Sequence, residues 1–358
     1  MKKIDFYIIK KFLSTFFLAL SLIIIIVIIF DISENIDDLI KSEAPLSEII
    51  FVYYLNFIPY FINLFSPLFT FIAVIFFTSK MASQTEIVAI LGSGISFRRM
   101  LRPYMITATF LTILSFYLAN FLIPLTNKNL LNFKIQYIKN KYHNTNRNIH
   151  MQISPGTFIY VEGYNVDDNI GTRFTMERYN NGILYYKMAA SNIRWDSIKQ
   201  KWAINNYSIH LINGYQEKLF SGFKKDTALN LTPEDFQRKS DDLDVMNFMQ
   251  LRKFIKDERL KGSENIRFYE VEKHKRIASP FATYILTLIG VSVSSRKVRG
   301  GIGMHIAFGL ALTFLYILFM RITETLATYG SWPPFIAVWL PNIFFACIGF
   351  YLLRKAPK

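Results

Sequence analysis

A chain of 358 residues that is 52% apolar, carries 34 Phe and has a mean hydropathy of +0.24 is too apolar for an ordinary soluble domain, and long enough for a membrane body plus one extramembrane domain. The net charge of +15 does not point to nucleic acid, because the basic residues hug the ends of apolar runs and form no dense cluster with interleaved aromatics. A single cysteine, Cys347, excludes a disulfide framework within the chain.

Residues 1–11 are basic, and residues 12–30 form an uncharged run of 19 that ends at Asp31 without a small-residue cleavage site, so the run reads as a retained crossing and not as a cleaved signal. Six carboxylates follow between 31 and 48, with Lys41 the single base among them. If the helix runs on past the bilayer, Asp31, Glu34, Asp38 and Lys41 share one face, either as a solvated helix end or as the outer mouth of a cavity. Residues 49–79 hold no charge over 31 positions, more than a straight crossing needs, and Pro59 and Pro67 predict a kinked or tilted helix there. Residues 80–102 read as a loop whose middle, 83–91, is a short amphipathic helix stopped by Gly92-Ser93-Gly94. Residues 103–125 are the third crossing.

The polar middle, 127–276, holds 25 Lys/Arg and 17 Asp/Glu of the chain's 67 charges and divides two triplets of apolar runs. Its pattern is mainly β, with strands predicted at 157–161, 171–179, 182–195 and 202–212 and short turn clusters between them. The short gaps favour an antiparallel meander or a jelly roll over βαβ units. Met246, Met249, Leu251, Phe254 and Ile255 then fit a helix ending near Gly262. The fourth to sixth crossings are expected at 277–295, 303–325 and 334–353, with Trp332 as an interfacial anchor. Short segments on one side carry fourteen Lys/Arg and those on the other carry only Lys41. By the positive-inside rule both termini face the cytoplasm and the middle domain lies outside. The expected division is therefore 1–126, 127–276 and 277–358: three transmembrane helices, an inserted antiparallel β domain, and three more.

Nothing in the sequence points to an enzyme. The glycine-rich stretches at 92–94 and 300–303 lack the Lys-Ser/Thr of a phosphate cradle, and the five histidines show no metal-ligand spacing. A secondary transporter would need an acidic coupling site at mid-membrane, and none of the six runs has one. A membrane-anchored sensor or scaffold, or a force-transmitting permease, would explain an outside domain. Arg321 and Glu324 lie three apart near the outer end of the fifth run, either as a local pair or with Arg321 facing a cavity and holding an anionic head group.

Several stretches carry a family resemblance. Residues 83–103 (SQTEIVAILGSGISFRRMLRP), 251–262 (LRKFIKDERLKG), 278–295 (ASPFATYILTLIGVSVSS), the glycines at 300–303 and residues 332–342 (WPPFIAVWLPN) resemble the LptF/LptG (YjgP/YjgQ) permeases of the lipopolysaccharide exporter. With the three-plus-three arrangement, the resemblance covers nearly the whole chain. It implies a permease subunit of an ABC exporter that takes lipopolysaccharide from the inner membrane and passes it through a jelly-roll-like periplasmic domain. It also implies a second LptF/LptG-type permease, a cytoplasmic ATPase dimer that binds the ATP, a single-span jelly-roll subunit and a periplasmic bridge. The chain would need no cofactor of its own.

By the same resemblance, Glu86 is the acidic residue that meets the ATPase, with Ile87, Ile90, Leu91 and Gly92 beside it on the coupling helix. Near residues 30–41 the chain is closer to G-type members. There Lys41 matches a basic position, while Glu34 stands where some G-type members have a lysine that touches the lipid. Lys41, Glu34 and Arg321 are the lipid-binding candidates.

Overall fold

A computed structural model describes residues 3–138, 147–237, 240–263, 265–295 and 301–355. These residues form two compact units. One comprises 1–138, 244–248 and 267–358, the other 139–243 and 249–266. The basic cluster at 296–299 and Gly300 lie outside the described residues.

The first unit is helical. Helix α1, Lys3–Lys41, runs 39 residues without a break, so the apolar run and the acidic stripe after it are one element. Its buried side chains include Ile8, Phe12, Phe16 and Leu20, a stripe at four-residue spacing that packs with Val74, Phe77 and Met81 of the next helix and with Met100, Tyr104 and Leu111. Helix α2, Leu46–Ser83, passes through Pro59 and Pro67, with a π-helical stretch at Ile49–Tyr54. Helix α3, Glu86–Gly92, is short. Helix α4, Phe97–Ile138, extends well past the expected end of the third crossing, so the jump in polarity at Asn127 falls inside a helix. Lys128 and the asparagines that raise polarity there are compatible with helix, and only their side chains leave the apolar pattern.

The second unit is a six-stranded antiparallel sheet in chain order, β1 (Arg147–Ser154), β2 (Thr157–Asn165), β3 (Ile170–Asn180), β4 (Ile183–Asp196), β5 (Lys201–Asn213) and β6 (Gln216–Thr227). Each strand pairs with its chain neighbours, which is the meander of the two arrangements left open by the short gaps. Ile159, Met176, Met188 and Ile209 stand opposite one another across four strands and make one row of the buried face. Strands β1 and β6 are additional to those predicted. Strand β1 alternates Ile149, Met151 and Ile153 with polar residues, a weak period-two signal, whereas β6 is an edge strand exposed along almost its whole length and carries none. The buried face is closed by the segment leading into α5, Pro233–Gln237: Trp202 donates its indole N–H to the Leu231 carbonyl at 2.8 Å, and Phe236 stacks on Tyr164 at 4.3 Å between centroids. Helix α6, Phe248–Lys261, ends at Gly262 with φ +70°, as expected, although Met246 lies before it and not in it.

Helix α8, Phe281–Ser294, stands where the fourth crossing was expected, and helix α7, Ile266–Ala278, precedes it in what was expected to be the end of the polar middle. They meet at Ser279-Pro280 with a bend of 48°, since Pro280 has no N–H to continue the α7 ladder. Helices α9, Gly301–Tyr329, and α10, Pro334–Lys355, complete the unit. Five helices are long and apolar enough to cross a membrane among the described residues, and six if the bent α7–α8 pair is one span.

Helix α2 is the element against which the others pack closely. A side chain at Gly290 of α8 would meet Val74 at 2.9 Å and Phe71 at 3.1 Å, and one at Gly309 of α9 would meet Ile75 at 2.3 Å. Substituting Gly290 by Val is expected to force α8 off α2 and to cost about 1–3 kcal/mol, as overpacking of a filled interior does. Thermal unfolding of the purified protein in detergent, with Gly303→Ala as the control in open space, would measure it.

Candidate functional site

Three clusters carry the sequence-identified residues, and all belong to the helical unit. The first lies around α3. Helix α2 ends at Ser83, and Thr85 takes a left-handed conformation, φ +61°, so the short helix begins at Glu86 and not at residue 83 as expected. Gly94 at φ +84° turns the chain again, and the Ser96 hydroxyl accepts the Arg99 N–H as the cap of α4. The Glu86 carboxylate accepts a hydrogen bond from the Tyr7 hydroxyl at 2.9 Å and faces the Lys11 ammonium at 3.6 Å, both on α1. Lys11 also lies over the Tyr7 ring, 4.4 Å from its centroid. Beside them Arg99 makes a two-pronged pair with Asp5 at 2.6 and 2.7 Å, with the Asp5 side chain 7% exposed.

The apolar residues of α3 divide between two uses. Ile87, only 1% exposed, belongs to the core with Phe12, Phe77 and Met100, and Ile90 and Leu91 pack partly against the same core. Ile87, one of the residues expected beside Glu86 on the coupling helix, is thus part of this chain's own core. Val88 at 66% exposure, Ala89 and Gly92 are the residues the helix leaves to solvent.

The second cluster is the C-terminal end of α1. Asp31 accepts hydrogen bonds from Tyr53 at 3.4 Å, Tyr54 at 3.2 Å and Asn35 at 3.0 Å, which ties α1 to the π-helical stretch of α2. Glu34, Asp38 and Lys41 continue the stripe as exposed residues. Leu39 is buried with Tyr53 and Phe133.

The third cluster is a cavity of about 240 Å³ among α2, α4, α7, α8 and α9. Tyr60, Leu64, Pro67, Tyr316 and Met320 supply apolar and aromatic wall, and six charged residues reach it. Asp244, Glu272 and Glu324 balance Lys275, Arg276 and Arg321 in charge. Glu324, 12% exposed, is held by Arg321 at 3.3 Å and by Lys275 of α7 at 3.6 Å, so the expected local pair is one limb of a bridge between two helices. Arg276 donates to the Met246 carbonyl at 2.6 Å and pairs with Glu272 at 3.2 Å. Arg321 itself is 64% exposed at the rim. Neighbouring Tyr316 donates to Asn342 at 2.7 Å, and Asn342 donates to the Ala278 carbonyl at 2.9 Å, next to the α7–α8 break.

The residues lining this cavity include Arg321 but neither Glu34 nor Lys41. Sequence reasoning had placed Glu272, Lys275 and Arg276 in the polar middle and so missed them. A signal was present: Lys275 and Arg276 directly precede an apolar run, and Glu272 sits four residues before Arg276. Among the described residues no group of His, Cys, Asp and Glu is placed to hold a metal ion.

A family model described as the lipopolysaccharide export system permease LptF/LptG matches residues 6–355. A search of curated proteins finds no match to this chain. The match spans the helices on both sides and the inserted antiparallel sheet between them, and multiple apolar helices make the chain a multi-pass protein of the inner membrane. The chain therefore belongs to the LptF/LptG family of lipopolysaccharide export permeases.

Proposed function

We propose that this chain is one half of an ATP-driven permease pair, in which the cavity between α7 and α9 takes a phosphate of lipopolysaccharide and the Glu86 helix receives the stroke of a separate ATPase dimer. The observation that carries this reading is the cavity, where Lys275, Arg276 and Arg321 gather beside aromatic wall on membrane-capable helices. Guanidinium and ammonium groups suit phosphate, and an apolar wall suits the glycolipid body next to it. Glu324 holds two of these cations, Lys275 and Arg321, side by side.

The outer half of α1 supports a second permease. Past Leu20 its buried residues within this chain end until Leu39, and Leu22, Ile25, Ile26, Ile29 and Phe30 stand exposed. A facing helix of an LptF/LptG-type partner, with lipid between the two, would cover them. We assign this chain the G-type place in that pair, with Lys41 in the last turn of α1 at the mouth. The sheet unit is the periplasmic part, its exposed edge strand β6 meeting the next β subunit on the way to the bridge. Both termini and α3 are then cytoplasmic.

A photo-crosslinker at Ile317 or Arg321 is expected to capture lipopolysaccharide. Charge-assisted contacts are worth about 1.5–3 kcal/mol, so Lys275→Ala or Arg321→Ala should weaken capture roughly ten- to hundred-fold, whereas Glu324→Gln, which removes the carboxylate the two cations share and leaves Lys275 its weaker contact with Glu272, should strengthen it. Absence of any adduct in the cavity, with adducts elsewhere on α1 and α9, would remove the phosphate role.

Glu86→Lys should reduce co-purification of the ATPase or leave hydrolysis that moves no lipid, with the sheet unit still resistant to proteolysis. Normal assembly and transport in that variant would exclude Glu86 from coupling.

In a Cys347→Ala background, Ser197→Cys should react with an impermeant thiol reagent added to cells with a permeabilised outer membrane, and Ser93→Cys should not. The reverse pattern would invert the proposed topology.

A further inference from the structure

The side chains around Glu86 hold more than the acidic residue itself, and their arrangement has a mechanical consequence. Asp5 and Arg99 are 94 positions apart in sequence, yet they form a two-pronged pair with Asp5 almost fully buried. Such a pair is geometrically specific, and separating it would leave a charge stranded in a dry site. It fixes the start of α1 to the start of α4. Tyr7 and Lys11, which share a different face of α1 one turn apart, hold the Glu86 carboxylate from the same helix. Below them Ile87 sits in the core with Ile8 and Phe12 of α1. The short helix α3 is thus tied to α1 through an ionic contact and a hydrogen bond and shares a buried core with it, although the chain reaches it only through the turns at Thr85 and Gly94.

We infer that Asp5, Tyr7, Lys11 and Arg99 are positioning residues that join the coupling helix to α1, so that displacement of α3 is passed along α1 to the lipid mouth as the movement of one rigid body. This rests on the reading of α3 as the ATPase contact. Helix α1 is unbroken over 39 residues. From Tyr7 to Asp31 it spans about 36 Å at 1.5 Å per residue, so tilting at one end displaces the other. At that far end Asp31 is hydrogen-bonded to Tyr53 and Tyr54, which stand in the π-helical stretch of α2. A π-helical turn is an element where a helix can change register, which suits the receiving end of such a lever. The first half of α1 is buried along one stripe and the stretch between Leu20 and Asp31 is not, so the lever is packed where force enters and, beyond that, is held only at its far end through Asp31 and Leu39. Tyr7 and Lys11 also set the position of the Glu86 carboxylate before any partner arrives, which lowers the ordering cost of docking.

The test uses the assembled complex of this chain with its partner permease and ATPase in nanodiscs. Spin labels at Ser14 of α1 and Ser93 after α3, in the Cys347→Ala background, report the separation of the two elements in the nucleotide-free and vanadate-trapped states. The wild-type distance distribution is expected to be the same in both states. Tyr7→Phe combined with Lys11→Met touches only partly exposed groups and leaves the Asp5–Arg99 pair in place. It should broaden that distribution on trapping and raise the ATP hydrolysed per lipid extracted several-fold, with the hydrolysis rate within about two-fold of wild type. Tyr7→Phe with Lys11→Arg, which restores the charge, should recover most of the coupling ratio. A wild-type distance that shifts between states, or a Tyr7→Phe/Lys11→Met variant with the wild-type ATP-to-lipid ratio, would overturn the lever. Failure of the wild-type chain to retain the ATPase would instead bring down the coupling reading on which the lever stands.

Discussion

The helical unit depends on how closely other helices can approach α2. In a bilayer the lipid tails are as apolar as leucine, so helices associate through van der Waals fit and a few polar contacts, not through hydrophobic expulsion. Gly290 and Gly309 remove the side chains that would hold α8 and α9 away from Phe71, Val74 and Ile75. On its other side α2 meets the aromatic stripe of α1 through Phe77, whose ring lies 5.6 Å from Phe12 and 5.3 Å from Tyr104 of α4. Both the Glu86 cluster and the charged cavity are placed by helices that lean on this one element.

Polar contacts then specify register within that packing. Thr78 and Tyr104 share a buried hydrogen bond at 3.1 Å, Ser115 donates to Asn63 at 2.6 Å and Tyr284 donates to Thr109 at 2.6 Å. The ionic contacts sit towards the ends of the bundle: Asp5 with Arg99 at one, and Lys275 with Glu324 and Arg321 at the cavity. This distribution follows the cost of charge in hydrocarbon, which is lowest near water and near a partner of opposite sign. Between Leu20 and Leu39 it leaves α1 without buried residues, and Leu22, Ile25, Ile26, Ile29 and Phe30 stand exposed there.

The sheet unit solves a different problem. A six-stranded meander has one apolar face to cover, and Leu231 and Phe236 cover it with an indole hydrogen bond and an aromatic stack on Tyr164 and Trp202. The Lys261–Asp235 ion pair ties α6 to the covering segment. Edge strand β6 stays open, with Leu219, Phe220 and Phe223 exposed along it. Lys218, Lys224 and Lys225 lie on the same strand, charges that discourage pairing with an unselected strand while leaving the backbone edge available.

Much of this was legible in the residues alone, because the constraints involved are local or compositional. The apolar runs locate the membrane-capable helices, since hydrocarbon demands about 20 uncharged residues wherever a helix crosses it. Alternation at residues 206–211 and the turn clusters marked the strands, because a pleated sheet forces a period of two. Arg321 and Glu324 could be paired from their spacing, and the residues of 83–103 and 332–342 were enough to carry the family. Tertiary structure decided what lies between distant positions. That Glu86 meets Tyr7 and Lys11, that Ile87 is core, and that Lys275 reaches Glu324 all depend on which helix faces are brought together. The break at Ser279-Pro280 is of the same kind, since an apolar run with one proline reads alike whether the helix bends by a few degrees or by 48°. Hydropathy records that a segment is buried or in lipid, and carries no record of what it is buried against.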